Sequence, residues 1–137
     1  MSSPDLELKI HLTFEVSSGL HVRVPVRFSY VYTDPYAVRA SFHLAPERTV
    51  HWTFARELLD QGMRGAAGLG DVRIAPIECC MGLLFSLELE SPDGYARLEG
   101  PVPPVRAWLA TTYEAVPAGN ETALLDISRF LEEHSGR

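Results

Sequence analysis

Apolar and polar positions alternate strictly along the first two elements of the chain. From Leu6 to Val16 the even positions are Leu6, Leu8, Ile10, Leu12, Phe14 and Val16, and the odd ones are Glu7, Lys9, His11, Thr13 and Glu15. A period of two is the mark of a strand with one buried face. Leu20 to Tyr32 repeats the pattern with Leu20, Val22, Val24, Val26, Phe28, Tyr30 and Tyr32. Facing residues of an antiparallel pair share a sheet face, so even must face even and the loop must hold an odd number of residues. Ser17-Ser18-Gly19 supplies it, with glycine where a three-residue hairpin wants a left-handed residue. The register then sets Phe14 opposite Val22, Leu12 opposite Val24, Glu15 opposite His21 and Thr13 opposite Arg23. A slip of one residue would turn every apolar side chain to water. Pro25 has no amide donor and implies an edge or a bulge.

Asp34-Pro35 breaks the second strand at a turn. A third strand carries Tyr36, Val38, Ala40, Phe42 and Leu44 on one face, and Pro46 ends it. Thr49 to Trp52 reads as a short fourth strand. Thr53 is then placed to cap a helix over 54–61, with Gly62 as its stop. Residues 62–70 form a Gly/Ala-rich loop, followed by a fifth strand around Val72 and Ile74. Met81, Leu83, Phe85, Leu87 and Leu89 mark a sixth strand. Ser91-Pro92-Asp93-Gly94 has the residues of a type I turn. It sets Leu87 opposite Leu98, and Glu88 opposite Arg97 as a charge pair. A helix over 104–115 puts Val105, Trp108, Leu109 and Thr112 on one face after a proline-rich entry. Residues 116–120 read as a polar loop, Thr122 to Leu125 as a short strand, and Asp126 as the cap of a last helix reaching Glu133.

These elements define an α+β class with about seven mostly antiparallel strands and two or three helices. The 137 residues fit one domain, 1–137, large enough to hold a core without metal or disulfide. The net charge of −6 leans against a phosphate-binding surface, since nucleic-acid affinity comes largely from Lys and Arg. Cys79 and Cys80 are adjacent, a spacing that suits neither a redox pair nor zinc, and are expected as buried structural thiols. Met1-Ser2-Ser3-Pro4-Asp5 lacks the basic and apolar regions of a signal peptide, and no apolar run is long enough to span a membrane, so a cytoplasmic location is expected.

Catalytic signatures are missing. There is no Gly-x-Ser-x-Gly elbow and no His-Glu-x-x-His. Gly65, Gly68 and Gly70 lack the Lys and Ser/Thr of a phosphate-binding loop. His11, His21, His43, His51 and His134 show no metal-ligand spacing, and Glu132-Glu133 reads as a solvated helix end. The expectation is therefore no enzyme, no cofactor and no metal. Tyr30, Tyr32, Tyr36, Phe42 and Trp52 fall on the face that alternation buries, so core packing is favoured over a base-stacking platform.

Three segments together resemble the SsgA-like family of actinobacterial sporulation and cell-division proteins. They are Asp34-Pro35-Tyr36-Ala37-Val38-Arg39-Ala40-Ser41-Phe42-His43, Trp52-Thr53-Phe54-Ala55-Arg56-Glu57-Leu58-Leu59, and Gly68-Leu69-Gly70-Asp71-Val72-Arg73-Ile74-Ala75-Pro76. Ala75 stands where relatives often carry a Trp, and residues 77–83 depart from the family pattern. The resemblance implies a whirly-like fold, similar to single-stranded-nucleic-acid-binding proteins, that associates as a homo-oligomer, a trimer among the forms this could take. It also implies a non-enzymatic regulator of septum formation, recruited to the septum by FtsZ or a membrane-linked septal protein. The alternative is a single-stranded nucleic-acid-binding module using a sheet surface with Arg23, Arg27 and Arg39. Exposed loops are the candidate partner contacts: Arg64 and Leu69 after the first helix, and Ala118, Gly119, Asn120 and Glu121 before the last. Arg56 and Glu57 read instead as structural, tying the helix to a strand or a neighbouring subunit.

Overall fold

A computed structural model describes residues 3–133. It therefore leaves Met1, Ser2 and His134 outside the described residues. Within them the chain forms one seven-stranded antiparallel sheet with three α-helices. The strands are β1 (Leu6–Ser17), β2 (Leu20–Tyr30), β3 (Ala37–Ala45), β4 (Arg48–Ala55), β5 (Val72–Pro76), β6 (Leu84–Ser91) and β7 (Gly94–Pro101). The helices are α1 (Arg56–Gly62), α2 (Val102–Ala115) and α3 (Glu121–Glu133). The spatial order is β4-β3-β2-β1-β7-β6-β5, so each hairpin neighbours its own partner and β1 joins the two halves through β7.

The first hairpin has the register that parity requires: Phe14 faces Val22, Leu12 faces Val24, Glu15 faces His21 and Thr13 faces Arg23. The turn closes on Gly19 at φ 80°, with a bulge between Glu15 and Ser17. β3 pairs with β2 only from Val26 to Ser29, so Pro25 lies where β2 has a free edge. The β6–β7 register likewise sets Leu87 against Leu98 and Glu88 against Arg97. Their charges go elsewhere, however: Glu88 accepts a hydrogen bond from Arg73 Nε at 3.2 Å, and Arg97 donates to Glu99.

The sheet curls around a core built from its even face on β1–β4. Leu12, Val26, Phe28, Tyr30, Val38, Ala40 and Phe42 are buried there with Phe85, Leu87 and Leu98 from the other half. α2 closes this core through Val105, Trp108, Leu109 and Thr112, the face expected from sequence, and Trp108 stacks on Phe28 at 6.1 Å. Gly100 sits beside Leu12, where any Cβ would overlap the leucine side chain.

Several boundaries differ from the sequence expectation. β4 continues to Ala55: Thr53 pairs with Arg39 and Phe54 with Val38, so Thr53 is a sheet residue and caps nothing. The ladder to β3 extends the alternation past the point where capping chemistry suggested a helix. Gly62 ends α1 without a left-handed turn; a Cβ there would overlap Ile74, so close helix–strand approach is its role. β6 begins at Leu84, because Met81 and Gly82 take φ 55° and 77° and turn the chain. Met81 and Leu83 are consequently exposed. Cys79 and Cys80 lie on a 3-10 turn, Cys79 exposed and Cys80 half-buried, not buried in a strand. Residues 122–125 are helical: Leu124 N–H donates to the Asn120 carbonyl and α3 starts at Glu121. Val116, expected in a polar loop, is buried. Tyr32 and Tyr36 are exposed, since β2 stops at Tyr30 and the turn carries both out of the sheet.

Candidate functional site

Even positions of β2–β4 make the core, so their odd positions make the opposite face. Antiparallel register aligns them in rows: Lys9, Arg27, Ser41 and His51 in one; Glu7, Ser29, Arg39 and Thr53 in the next. His43 pairs with Thr49 beside them. This face carries a cleft of about 730 Å³ lined by Arg27, Ser29, Arg39, Ser41, His43, Thr49, His51 and Thr53, together with Pro4, Val31, Asp34 and Ala37.

The cleft is polar and cation-rich. Ser41 Oγ and His51 Nδ1 share a hydrogen bond of 2.9 Å, and Thr49 Oγ1 and His43 Nδ1 one of 3.1 Å. Both imidazoles thus keep Nε2 outside these bonds. Arg27 Nε is buried without a hydrogen-bond partner, and its closest carboxylate oxygen, on Glu7, is 3.8 Å away. Arg39 is exposed and forms no ion pair among the described residues. Desolvation, then the positive charges of Arg39 and Arg27 and the neighbouring His43, lower the His51 pKa below its usual value. Protonation of His51 is therefore opposed by the arginines beside it.

A second arginine cluster is closed. Arg56 at the start of α1 is 1% exposed. It donates to the Thr112 carbonyl at 3.0 Å and to Glu121 Oε2 at 2.7 Å. Its guanidinium lies 4.0 Å from the centre of the Tyr113 ring and 5.1 Å from that of Tyr30. Its backbone N–H donates to the Tyr36 carbonyl at 2.7 Å. One side chain thus joins α1, α2, α3 and β2. Burial raises the Glu121 pKa, but hydrogen bonds from its own backbone N–H, from Arg56 and from the Gly119 N–H outweigh it and hold the carboxyl below the usual range. Burial pushes the Tyr30 phenol up to about 12 against the opposing charge of Arg56; its hydroxyl donates to the Pro35 carbonyl at 2.9 Å.

The loop residues singled out from sequence lie apart from the cleft. Leu69 is fully exposed, and Arg64 is exposed with an ion pair to Asp60 at 3.1 Å. Gly68, at φ 92°, lets the Val72 carbonyl approach where a Cβ would collide with it. Ala118, Gly119 and Asn120 are exposed between α2 and α3. Glu121 is not free: its carboxylate is committed to Arg56 and to the Gly119 N–H at 2.8 Å. Glu57, next to the buried Arg56, faces solvent. Of the three arginines suggested for a nucleic-acid surface, Arg27 and Arg39 line the cleft and Arg23 stands outside it.

Sequence reading found no metal-ligand spacing among the histidines and did not place His43 and His51 in a common site. The pairing of β3 with β4 brings both into the cleft. The signal was available in the uninterrupted polar series at odd positions 39–43 and 49–53, which one hairpin register would have overlaid. Among the described residues no group of three or more His, Cys, Asp and Glu is arranged to hold a metal ion, and no helix is long and apolar enough to cross a membrane.

The fold and its paired segments define an SsgA-like domain. The profile of the family described as Streptomyces sporulation and cell division protein, SsgA, matches residues 24–121, and the chain belongs to that family. It is 38% identical to the sporulation-specific cell division protein SsgB of Thermobifida fusca over 133 residues, covering 97% of this chain and 96% of the relative. It is 40% identical to SsgB of Streptomyces coelicolor over 123 residues, covering 90% of each. Among solved structures, the SsgA-like sporulation-specific cell division protein of Thermobifida fusca superposes with a TM-score of 0.85 at 39% identity, over 98% of this chain and 99% of that one. A structure of Streptomyces coelicolor SsgB, whose mutations correlate with longitudinal cell division during sporulation, gives 0.81 at 40% identity over 87% and 94%.

Proposed function

We propose that this protein is a non-enzymatic regulator of sporulation-specific cell division that helps place or activate the septum machinery through protein contacts. Its relatives are sporulation-specific cell division proteins, which supports a role in sporulation septation. The observation that carries the mode of action is the cleft, which gathers cations and hydroxyl groups. Although Ser41 and Thr49 are hydrogen-bonded to His51 and His43, neither imidazole is held by a carboxylate among the described residues, so the cleft suits binding more than turnover. The proposed partner is FtsZ or a membrane-linked septal protein, which would draw a cytoplasmic protein to the septum. Arg64, Leu69, Ala118, Gly119 and Asn120 offer further exposed contacts. Self-association is supported by Val16, Leu20, Val22 and Leu44, which are exposed on the core side of the sheet beside an apolar hollow of about 180 Å³. A homo-oligomer, a trimer among the options, would cover them.

Deleting the gene in a sporulating actinobacterium should change the number or position of septa, and the purified protein should co-sediment with FtsZ polymers or with a septal membrane fraction. Normal septation together with no co-sedimentation would rule the proposal out. A second reading, binding of single-stranded nucleic acid, is favoured by Arg27 and Arg39 on one sheet face. Against it, no Phe, Tyr or Trp lines the cleft, and such proteins rely on base stacking. Salt-sensitive binding of oligothymidine would support it.

A further inference from the structure

The cleft on the odd face of β2–β4 differs from the rest of an acidic chain. The protein carries a net charge of −6, yet the cleft is lined by Arg27, Arg39, His43 and His51 against Asp34 alone. Neither arginine is saturated: Arg27 has a buried Nε without a hydrogen bond and a long ion pair of 3.8 Å to Glu7, and Arg39 has no carboxylate partner among the described residues. A guanidinium presents a planar fork of donors that matches a carboxylate. Geometry narrows the ligand further. Arg27 faces Ser41 and Arg39 faces Ser29, so the arginines are diagonal neighbours on adjacent strands. Such positions lie about 7–8 Å apart. An extended peptide repeats its side chains on one side every ~6.6–6.8 Å. The floor spans three strands, about 10 Å between the outer ones, which is room for one extended chain and little more.

We propose that this cleft docks an extended acidic peptide segment of a partner protein, with alternate carboxylates on Arg27 and Arg39 and the hydroxyl groups of Ser29 and Thr53 completing the contacts. The imidazoles of His43 and His51 strengthen the grip when protonated. Facing them are Ser41 and Thr49 across the β3–β4 pair, Arg27 and Arg39 in the cleft, and the carboxylates of Asp34 in its lining and Glu7 beside Arg27. The assignment rests on the partner-binding role proposed above and adds the chemistry of the partner and the residues that meet it. Nucleic acid is the less suitable occupant because the lining holds no Phe, Tyr or Trp to serve as a stacking platform.

The test is fluorescence anisotropy of the full chain with a labelled peptide of alternating glutamate and serine, in parallel with labelled oligothymidine and a lysine–serine peptide. The acidic peptide should bind at low ionic strength, lose affinity as salt rises, and bind more tightly at mildly acidic than at mildly alkaline pH. R39Q removes a charge-assisted contact, so it should weaken binding by about tenfold or more and R27Q with R39Q further. R106Q, at an exposed position on α2 outside the cleft, should leave binding unchanged. R39Q alone carries the test if the double variant melts early, because Arg39 is exposed. No peptide binding at low salt, an equal loss in R106Q, or tighter binding of oligothymidine would overturn the assignment. In the cell the two levels separate. A deletion without any septation defect overturns the regulator role; a defect fully restored by the R27Q/R39Q allele overturns the cleft assignment and leaves that role standing.

Discussion

Two arginine clusters occupy this small protein and teach opposite lessons. Arg56 is buried, and its donors and ring faces are matched by Thr112, Glu121, Tyr113 and Tyr30. Arg27 and Arg39 stand on the far side of the sheet with much of their hydrogen-bonding capacity unused. The first arrangement is closed: every group that could attract a ligand is already spent on joining helices to the sheet. The second is open, and an open cluster of like charges is unfavourable until an anion arrives. Residue type therefore says little about role here, while the partners of each guanidinium say a great deal.

Substitutions should separate the clusters cleanly. The largest effect is expected for Glu121→Ala, which strands the Arg56 charge in the interior. Breaking a buried pair by removing one partner costs about 3–5 kcal/mol, visible as a lower urea midpoint. A loss below the range of ordinary surface changes would show that the ring contacts of Arg56 suffice alone. Gly62→Ala should follow at about 1–3 kcal/mol, as expected for overpacking, because the new methyl group meets Ile74; the same denaturation curves measure it.

Acid should expose the closed cluster next. The folded-state pKa of Glu121 is depressed, so the unfolded chain binds this proton at higher pH than the folded one. Its contribution to stability is complete above the unfolded pKa and is lost as pH falls through the folded pKa. The stability gap between the wild type and Glu121→Gln should accordingly be constant near neutrality and shrink as the solution is acidified below the usual carboxylate range. A gap that stays flat through acid would contradict the assignment. His51 belongs to the open cluster and its folded pKa is also lowered. For this base, stability is present above the unfolded pKa and falls as pH drops towards the folded value. Replacing His51 with Asn should flatten a small slope between neutral and mildly acidic pH. Smallest of all, the R27Q/R39Q protein should match the wild type within about 0.5 kcal/mol, as surface changes usually do; a large loss would mean that the open cluster is structural after all.

How much of this was legible beforehand differs from element to element. The register of the two hairpins was readable, from Leu6 to Glu15 in the first and throughout the second, since a period of two and the parity of a short turn leave one register; only the bulge that pairs Ser17 with Leu20 was not. The α2 face of Val105, Trp108, Leu109 and Thr112 was equally plain. Failures concentrate where local chemistry and tertiary pairing disagree. Thr53 has the chemistry of a cap but the neighbours of a strand. Thr122 to Leu125 looks extendable in isolation, yet the tie between Glu121 and Arg56 and the packing of Leu124 against the core support a helix. Val16, Leu20 and Val22 follow the buried parity of their strands and remain exposed, because the hairpin tip extends beyond the elements that would cover it. Cys79 and Cys80 were expected inside and lie on a turn outside.

What the sequence determined by itself was the covalent alternation: which side chains share a face, and where short turns must fold the chain back. Those are local facts, set by the two-residue period of a strand and the few conformations a tight loop allows. Only the tertiary structure decided which charges meet. Arg56 and Glu121 are separated by most of α1, three strands and α2 before they touch. Arg27, Arg39, His43 and His51 come from three strands and acquire a common site only when β2, β3 and β4 lie side by side in a curled sheet. Alternation sets the side a residue faces, but long-range packing sets its neighbours, and for a charged residue the neighbours decide whether it holds the fold together or stays open to a partner.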